Sequence, residues 1–150
     1  MQNTKETIEV LNDLILINND RIVGYEKAIR ASQPGDEDLK VLYATMIAES
    51  HRIKIALATE VQTMGAEVDK GTTTGGKIYR AWMDVRAIFG GRDRHTILAN
   101  CEAGEDATQR AYRMALEHDL PAFITELLVQ QQRALKDSHD EVRAMRDQYA

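Results

Sequence analysis

Two glutamates, Glu49 and Glu105, occupy positions where the hydrophobic periodicity predicts the buried side of a helix. Glu49 continues an apolar series that runs through residues 39–46, and Glu105 follows a similar series over residues 98–101. Both series have spacings of three and four residues, which is the period of an amphipathic helix. A buried carboxylate is costly unless a metal ion, an arginine or a hydrogen-bonding neighbour compensates it. The identity of that partner separates a metalloprotein from a structural protein.

One hypothesis is a metal site in the core of a helical bundle. Its ligands would be Glu49, Glu105 and His139. Glu26 is a further candidate, since it flanks the line of apolar residues, or seam, that the first helix turns towards the core. Carboxylate and imidazole groups of this kind bind iron or manganese in helical bundles.

The sequence departs from the usual di-metal pattern, in which a Glu-x-x-His motif lies on each of two helices. The third residue after Glu49 is Arg52, and the third residue before His139 is Lys136. We therefore expect no bound metal, and binding of iron or manganese is the alternative.

The competing hypothesis is a buried polar layer without metal. Arg52 or His139 would compensate the glutamates, and three polar residues at seam positions, Asn18, Gln131 and Ser138, would complete the hydrogen bonds. A polar layer of this kind can fix the register of packed helices at some cost in stability.

The elements that must position these side chains are all helices. Apolar residues recur with helical spacing in five segments, which turn and loop residues separate. The predicted helices cover residues 5–31, 37–64, 78–89, 93–118 and 121–150.

The connections between these helices predict the topology. The first two long helices are joined by a short turn, as are the last two, and a long crossover containing the short helix separates the pairs. This is the connectivity of a ferritin-like four-helix bundle, and 150 residues fit one such domain, residues 1–150. Counting 1.5 Å per residue from the first turn places Asn18 opposite Glu49.

Composition excludes several classes of protein. The net charge is −5, and the basic residues are scattered among acids, so we expect no nucleic-acid partner. The chain shows neither a signal peptide nor a membrane-spanning segment. Its single cysteine, Cys101, cannot form an intramolecular disulfide. These features predict a cytoplasmic protein.

Apolar residues beyond the main seam predict two kinds of contact. The first helix carries extra apolar residues at Val10, Leu14, Leu16 and Ile17, which indicate a homo-oligomer. Trp82 in the short helix is predicted to dock that helix on the bundle. Alternatively, the short helix could swing out on its flanking glycines and bind another protein, which would make the chain an interaction module.

Several sequence pieces carry a family resemblance. They are residues 11–14 and 24–26 in the first helix, 79–82 in the connector, 101–105 with Tyr112 in the next helix, and His139-Asp140 in the last. In these pieces the chain resembles a family of small, uncharacterised bacterial four-helix-bundle proteins of the ferritin-like superfamily. The resemblance implies the bundle fold and no particular activity. We accordingly predict a non-enzymatic, structural or stress-associated role, with a ferritin-like metalloprotein as the alternative.

Overall fold

The computed structural model describes residues 4–68, 75–85 and 93–149, and within them the chain forms five helices and no strand. In chain order the helices are α1 (Thr4–Ala31), α2 (Glu37–Thr63), α3 (Lys77–Val85), α4 (Arg94–Leu116) and α5 (Ala122–Gln148). The predicted all-α architecture is confirmed. The predicted end of the short helix, with Phe89 and Gly90-Gly91, lies outside the described residues.

Two helical hairpins make up the bundle. α1 packs along α2, α4 packs along α5, and α1 also contacts both α4 and the short helix α3. The buried apolar residues form two clusters, one centred on Leu14, Leu57 and Tyr112 and the other on Tyr43 and Leu98. Asn18, Glu49, Glu105 and Ser138 fall between these two clusters along their helices, whereas Gln131 lies within the first cluster, between Leu128 and Leu135.

Two aspartates that precede helices make different contacts. Asp93 caps α4, since its carboxylate accepts the Thr96 N–H at 2.9 Å. Asp36 precedes α2 but makes no cap bond there, and its carboxylate pairs instead with Arg94 at 2.7 Å. The turn between α1 and α2 is thereby tied to the start of α4.

The short helix α3 is anchored to the bundle at its N-terminus. The buried carboxylate of Asp13 in α1 accepts the backbone N–H groups of Gly76 at 2.7 Å and Tyr79 at 3.1 Å. Burial raises the pKa of Asp13, although these hydrogen bonds oppose the shift. A Cβ added at Gly76 would lie 2.6 Å from a carboxylate oxygen of Asp13 and of Glu9, so both carboxylates would have to move. A side chain of α1 thus caps a helix that lies far away in the sequence.

Trp82 is a docking residue of α3, as predicted. It is 3% exposed, its ring stacks on Tyr79, and its indole N–H donates a hydrogen bond to Thr108 of α4. In the alternative, α3 leaves the bundle to bind another protein, and all of these contacts would have to break.

The four extra apolar residues of α1 are buried within the single chain. Val10, Leu14, Leu16 and Ile17 are each 3% exposed or less. The reason is that α1 is covered on three sides, by α2, α3 and α4, so that half of its 28 residues are buried. These residues therefore give no support to self-association.

Among the described residues, none of the helices is both long and apolar enough to cross a membrane.

Candidate polar layer of the bundle core

The centre of the bundle holds an arginine, Arg21, which is 3% exposed. Its guanidinium binds Glu105 through both carboxylate oxygens, with Nε to Oε2 at 2.9 Å and Nη2 to Oε1 at 2.6 Å. Nη2 also lies 3.0 Å from Oε1 of Glu49. One cation on α1 therefore bridges the carboxylates of α4 and α2, and a two-pronged contact of this kind is among the stronger ion pairs in proteins.

The remaining donors of Arg21 are also satisfied. Nη1 donates to the hydroxyl of Ser50 at 2.8 Å and to the carbonyl oxygen of Met46 at 3.3 Å. The guanidinium carbon lies 5.4 Å from the centre of the Tyr25 ring, within the range of a cation–π contact. Because its charge and its N–H groups have partners, the arginine can be buried without a large net penalty.

Hydrogen bonds continue from Ser50 across the bundle. The Ser50 hydroxyl donates to Asn18 Oδ1 at 2.9 Å, and Asn18 Nδ2 donates to the carbonyl oxygen of Leu14 at 2.9 Å. The Tyr112 hydroxyl donates to Gln131 Oε1 at 2.8 Å, and Asn18 Nδ2 lies 3.4 Å from the same hydroxyl. Asn18 therefore lies level with Ser50, the residue after Glu49. This agrees with the position that the residue count from the α1–α2 turn predicts.

Glu49 connects the layer to α5, the fourth of the long helices. Its Oε1 accepts a hydrogen bond from the Ser138 hydroxyl of α5 at 2.8 Å. The side chain of Glu49 is 16% exposed, whereas that of Glu105 is 2% exposed, so Glu49 lies nearer the solvent. All four long helices thus contribute a side chain to one polar layer.

The electrostatics of the layer follow from burial and from the charge of Glu105. Burial alone would lower the pKa of Arg21, but the charge and hydrogen bonds of Glu105 outweigh it and raise that pKa. Burial and the same carboxylate raise the pKa of Tyr25 and of the Cys101 thiol. Arg21 is therefore charged, and Cys101 is a protonated core residue without the thiolate character of a nucleophile.

The structure corrects two of the predicted positions. Arg52 is exposed, because it precedes the buried Ile53 by one residue and a step of one residue turns about 100° around the helix. Arg21 has the compensating role that was assigned to Arg52. Glu26 is also exposed, because it follows the buried Tyr25 by one residue, so it lies away from the core.

His139 is buried, but its ring nitrogens are directed away from the central glutamates. Nε2 lies 2.6 Å from Asp106 Oδ1, and Nδ1 lies 3.0 Å from Asp140 Oδ1. Burial alone would lower the pKa of His139, and the two aspartates more than reverse this and raise it. His139 therefore belongs to a separate group of side chains at the α4–α5 groove.

The residues of the core do not fit a di-metal centre. Both oxygens of Glu105 are bound to Arg21, and Glu49 Oε1 is shared between Arg21 and Ser138. The guanidinium stands between the two carboxylates, so that a metal ion there would be repelled by a fixed positive charge. The predicted imidazole ligand, His139, faces other partners.

Sequence reasoning missed Arg21, although a signal was present. Arg21 follows Asn18 by three residues and precedes Tyr25 by four, so it continues the same seam. An arginine on a seam opposite two seam glutamates is the pattern that would have identified the ion pair.

Solved structures show what the fold is similar to. A mutant of Dps1 from Mycobacterium smegmatis aligns with a TM-score of 0.80 at 13% sequence identity and covers 95% of each chain. A structure described as ferritin-like, diiron-carboxylate proteins from Bacillus anthracis aligns with a TM-score of 0.70 at 20% identity and covers 99% of each chain. At such identities the similarity shows the fold alone, which is the predicted ferritin-like bundle.

At the level of sequence, no curated protein gives a significant match. A family model described as a domain of unknown function, DUF2383, matches residues 6–118. This match covers well over half of the chain and includes α1, α2, α3 and α4. The protein therefore belongs to the DUF2383 family, and its fold is that of a ferritin-like helical bundle.

Proposed function

We propose that residues 1–150 form a single ferritin-like domain with a non-enzymatic, structural role, in which an arginine replaces metal ions at the centre of the bundle. The observation that carries this proposal is the buried Arg21 guanidinium, bound to Glu105 and Glu49. Metal sites of four-helix bundles are built at this position from side chains of facing helices. Here the carboxylates of Glu49 and Glu105 are bound instead by the side chain of Arg21.

The proposal is tested by metal analysis of tag-free protein purified without chelators. We expect the iron and manganese content of the protein to be the same whether or not Glu49 or Glu105 is replaced. We also expect Fe(II) added in air to be oxidised no faster than in buffer. The variants are Glu49→Gln and Glu105→Gln, which keep the side-chain size while removing the charge. Circular dichroism reports whether each variant keeps its helix content.

Stoichiometric iron or manganese that disappears in Glu49→Gln while the helix content is unchanged would overturn the proposal. That result would favour the metalloprotein alternative. A second pair of variants, His139→Gln and Asp106→Asn, separates metal held in the core from metal held at the α4–α5 groove, since neither residue contacts Arg21.

We also propose that the chain forms a homodimer through the outer face of α2. Only 8 of the 27 residues of α2 are buried, and Val41 and Ile55 on its outer side are 66% and 68% exposed. Ala48 is exposed midway between them, about two helical turns from each. An antiparallel second copy would bring Val41 against the partner's Ile55 and Ala48 against the same residue of the partner, as a two-fold axis requires.

Two threonines flank this apolar line on α2. The hydroxyls of Thr45 and Thr59, both exposed, donate to the carbonyl oxygens of Val41 and Ile55 in their own helix, at 2.9 and 2.8 Å. Their hydrogen-bonding donors are therefore already used within α2. A stress-associated role and a cytoplasmic location stay predictions from the sequence.

A further inference from the structure

A second group of ligand-type side chains lies outside the core layer, at the groove between α4 and α5. Glu102 and Asp106 stand one helical turn apart on α4, and His139 faces them from α5. One ligand atom of each residue lies within 4.8 Å of the others, and Nε2 of His139 is 2.6 Å from Asp106 Oδ1. Two carboxylates and an imidazole thus converge on one point.

The other side of the histidine ring is arranged as in known metal sites. Nδ1 of His139 lies 3.0 Å from Asp140 Oδ1, and the carboxylate of Asp140 is held by Lys136 at 2.7 and 2.9 Å. With Nδ1 donating to Asp140, Nε2 is the nitrogen that faces Asp106, and a metal ion bound there would take the place of the hydrogen bond between Nε2 and Asp106. Metal-binding histidines are usually oriented by a carboxylate in this way. This contact is independent of the three converging ligand atoms.

We propose that Glu102, Asp106 and His139 bind one divalent transition-metal ion, for which Zn²⁺ is the best fit among ordinary ions. One imidazole and two carboxylates are ligands that zinc accepts, with water in a fourth position. Ligand atoms around a tetrahedral zinc ion at ~2.1 Å are ~3.4 Å apart, so small side-chain rotations bring this group into range. Beside the cluster the groove opens to solvent as a cavity of about 270 Å³, which three cationic side chains, Arg110, Arg113 and Lys136, also line.

Basic residues near the cluster set the conditions for binding. Arg146 forms an ion pair with Glu102, and Arg143 lies 4.0 Å from the same carboxylate. The Arg146 side chain is 31% exposed and also binds Asp147 at 2.9 Å, so it keeps a partner when Glu102 turns to a metal ion. The ion must compete with this arginine, which makes the site exchangeable rather than permanently filled.

This site is separate from the core layer. Glu105 and Glu49 are bound to Arg21, and neither residue belongs to the groove cluster. Metal binding at the groove is therefore compatible with a core that holds none, and the two proposals can fail independently.

The test is titration of chelator-treated, tag-free, full-length protein with Zn²⁺ by calorimetry and with Co²⁺ by visible absorption. We expect one ion per chain and Co²⁺ absorption bands typical of a site with nitrogen and oxygen ligands. His139→Gln and Asp106→Asn should abolish saturable binding. Asp140→Asn, which changes only the residue that orients the ring, should weaken it by about 10- to 100-fold.

Two control variants make the result specific. Asp137→Asn removes an exposed carboxylate from the same helix, and Glu49→Gln removes one from the core, so both should bind Zn²⁺ as the unaltered protein does. Asp106 has a side chain that is 61% exposed, so its variant is expected to fold even if His139→Gln does not. Absence of saturable binding by the unaltered protein, or unchanged binding by folded Asp106→Asn, would overturn the proposal. Loss of binding in Glu49→Gln would place the ion in the core and overturn both proposals.

Discussion

At the scale of single residues, the decisive feature is the charge of Arg21. It is buried beside Glu105, and both groups lose almost all contact with water. The attraction within such a pair roughly offsets the cost of removing two charges from water, so the pair contributes little net stability. Removing only one partner leaves the other charge buried and uncompensated. The cost of that change is large even though the value of the intact pair is small.

This asymmetry gives a prediction for Arg21→Met. We expect the variant to lose about 3–5 kcal/mol of unfolding free energy, because Glu105 is left without its cation. The double variant Arg21→Met/Glu105→Met should recover much of this loss, since neither charge is then buried. Urea unfolding of both single variants and the double variant measures the coupling.

The matched control is Arg133→Met, which removes the same charge from an exposed site on α5. It should change the stability by no more than about 0.5 kcal/mol. Equal effects of the Arg21 and Arg133 variants, or additive effects of Arg21→Met and Glu105→Met, would contradict the assigned ion pair.

At the scale of helices, capping decides where α4 begins. The Asp93 carboxylate accepts hydrogen bonds from the N–H and the hydroxyl of Thr96, at 2.9 and 2.8 Å. The bond from the Thr96 N–H is the main cause of the lowered pKa of Asp93, and the bond from the hydroxyl adds to it. The charged form of the aspartate is therefore the form that stabilises the helix.

The pH dependence of this cap has a definite sign. Because the pKa of Asp93 is lower in the folded chain than the ordinary 3.8, the unfolded chain takes up the proton first. The stabilisation is present above pH 3.8 and is lost as the pH falls through the folded pKa. We expect Asp93→Ala to lower the melting temperature at neutral pH, and the difference from the unaltered protein to shrink in acid. Thermal unfolding followed by circular dichroism over this pH range measures both effects.

Asp119→Ala is the control for the cap, since Asp119 is exposed and α5 begins only after Pro121. It should leave the melting temperature nearly unchanged. A difference for Asp93→Ala that stays constant down to strongly acidic pH would show that the charged carboxylate is not what stabilises the start of α4.

At the scale of the whole molecule, burial differs sharply between the first two helices. α1 is covered by three other helices, whereas α2 leaves Val41, Ala48 and Ile55 exposed along one line. Contiguous apolar surface on a helix commonly marks a protein interface. The surface that we propose for self-association therefore lies on α2 and not on α1.

We expect the unaltered protein to be a dimer in solution, and Val41→Glu or Ile55→Glu to make it monomeric. In an antiparallel dimer each substitution places two charges in the interface, one from each chain, where burial is costly. Analytical ultracentrifugation over a range of concentrations measures the change, and circular dichroism checks the fold. Phe123→Glu alters a residue that is 57% exposed on α5, and it should leave the dimer intact. A monomer at every concentration, or dissociation only in Phe123→Glu, would exclude this interface.

The sequence by itself determined the helices, their order and the two-hairpin topology, because helical periodicity and turn residues are local properties of the chain. It also indicated that Asn18, Glu49 and Glu105 share a layer, since a fixed rise per residue converts counting into height. The tertiary structure decided which cation binds the glutamates, although the seam position of Arg21 is visible in the sequence. Arg21 and Arg52 each lie close to the apolar seam of their own helix. A shift of one position along a helix turns a side chain by about 100° around the axis, which is enough to separate a buried guanidinium from an exposed one. The coverage of α1 by α3, and the turning of His139 towards Asp106, likewise depend on how the helices pack around each other, which no local pattern records.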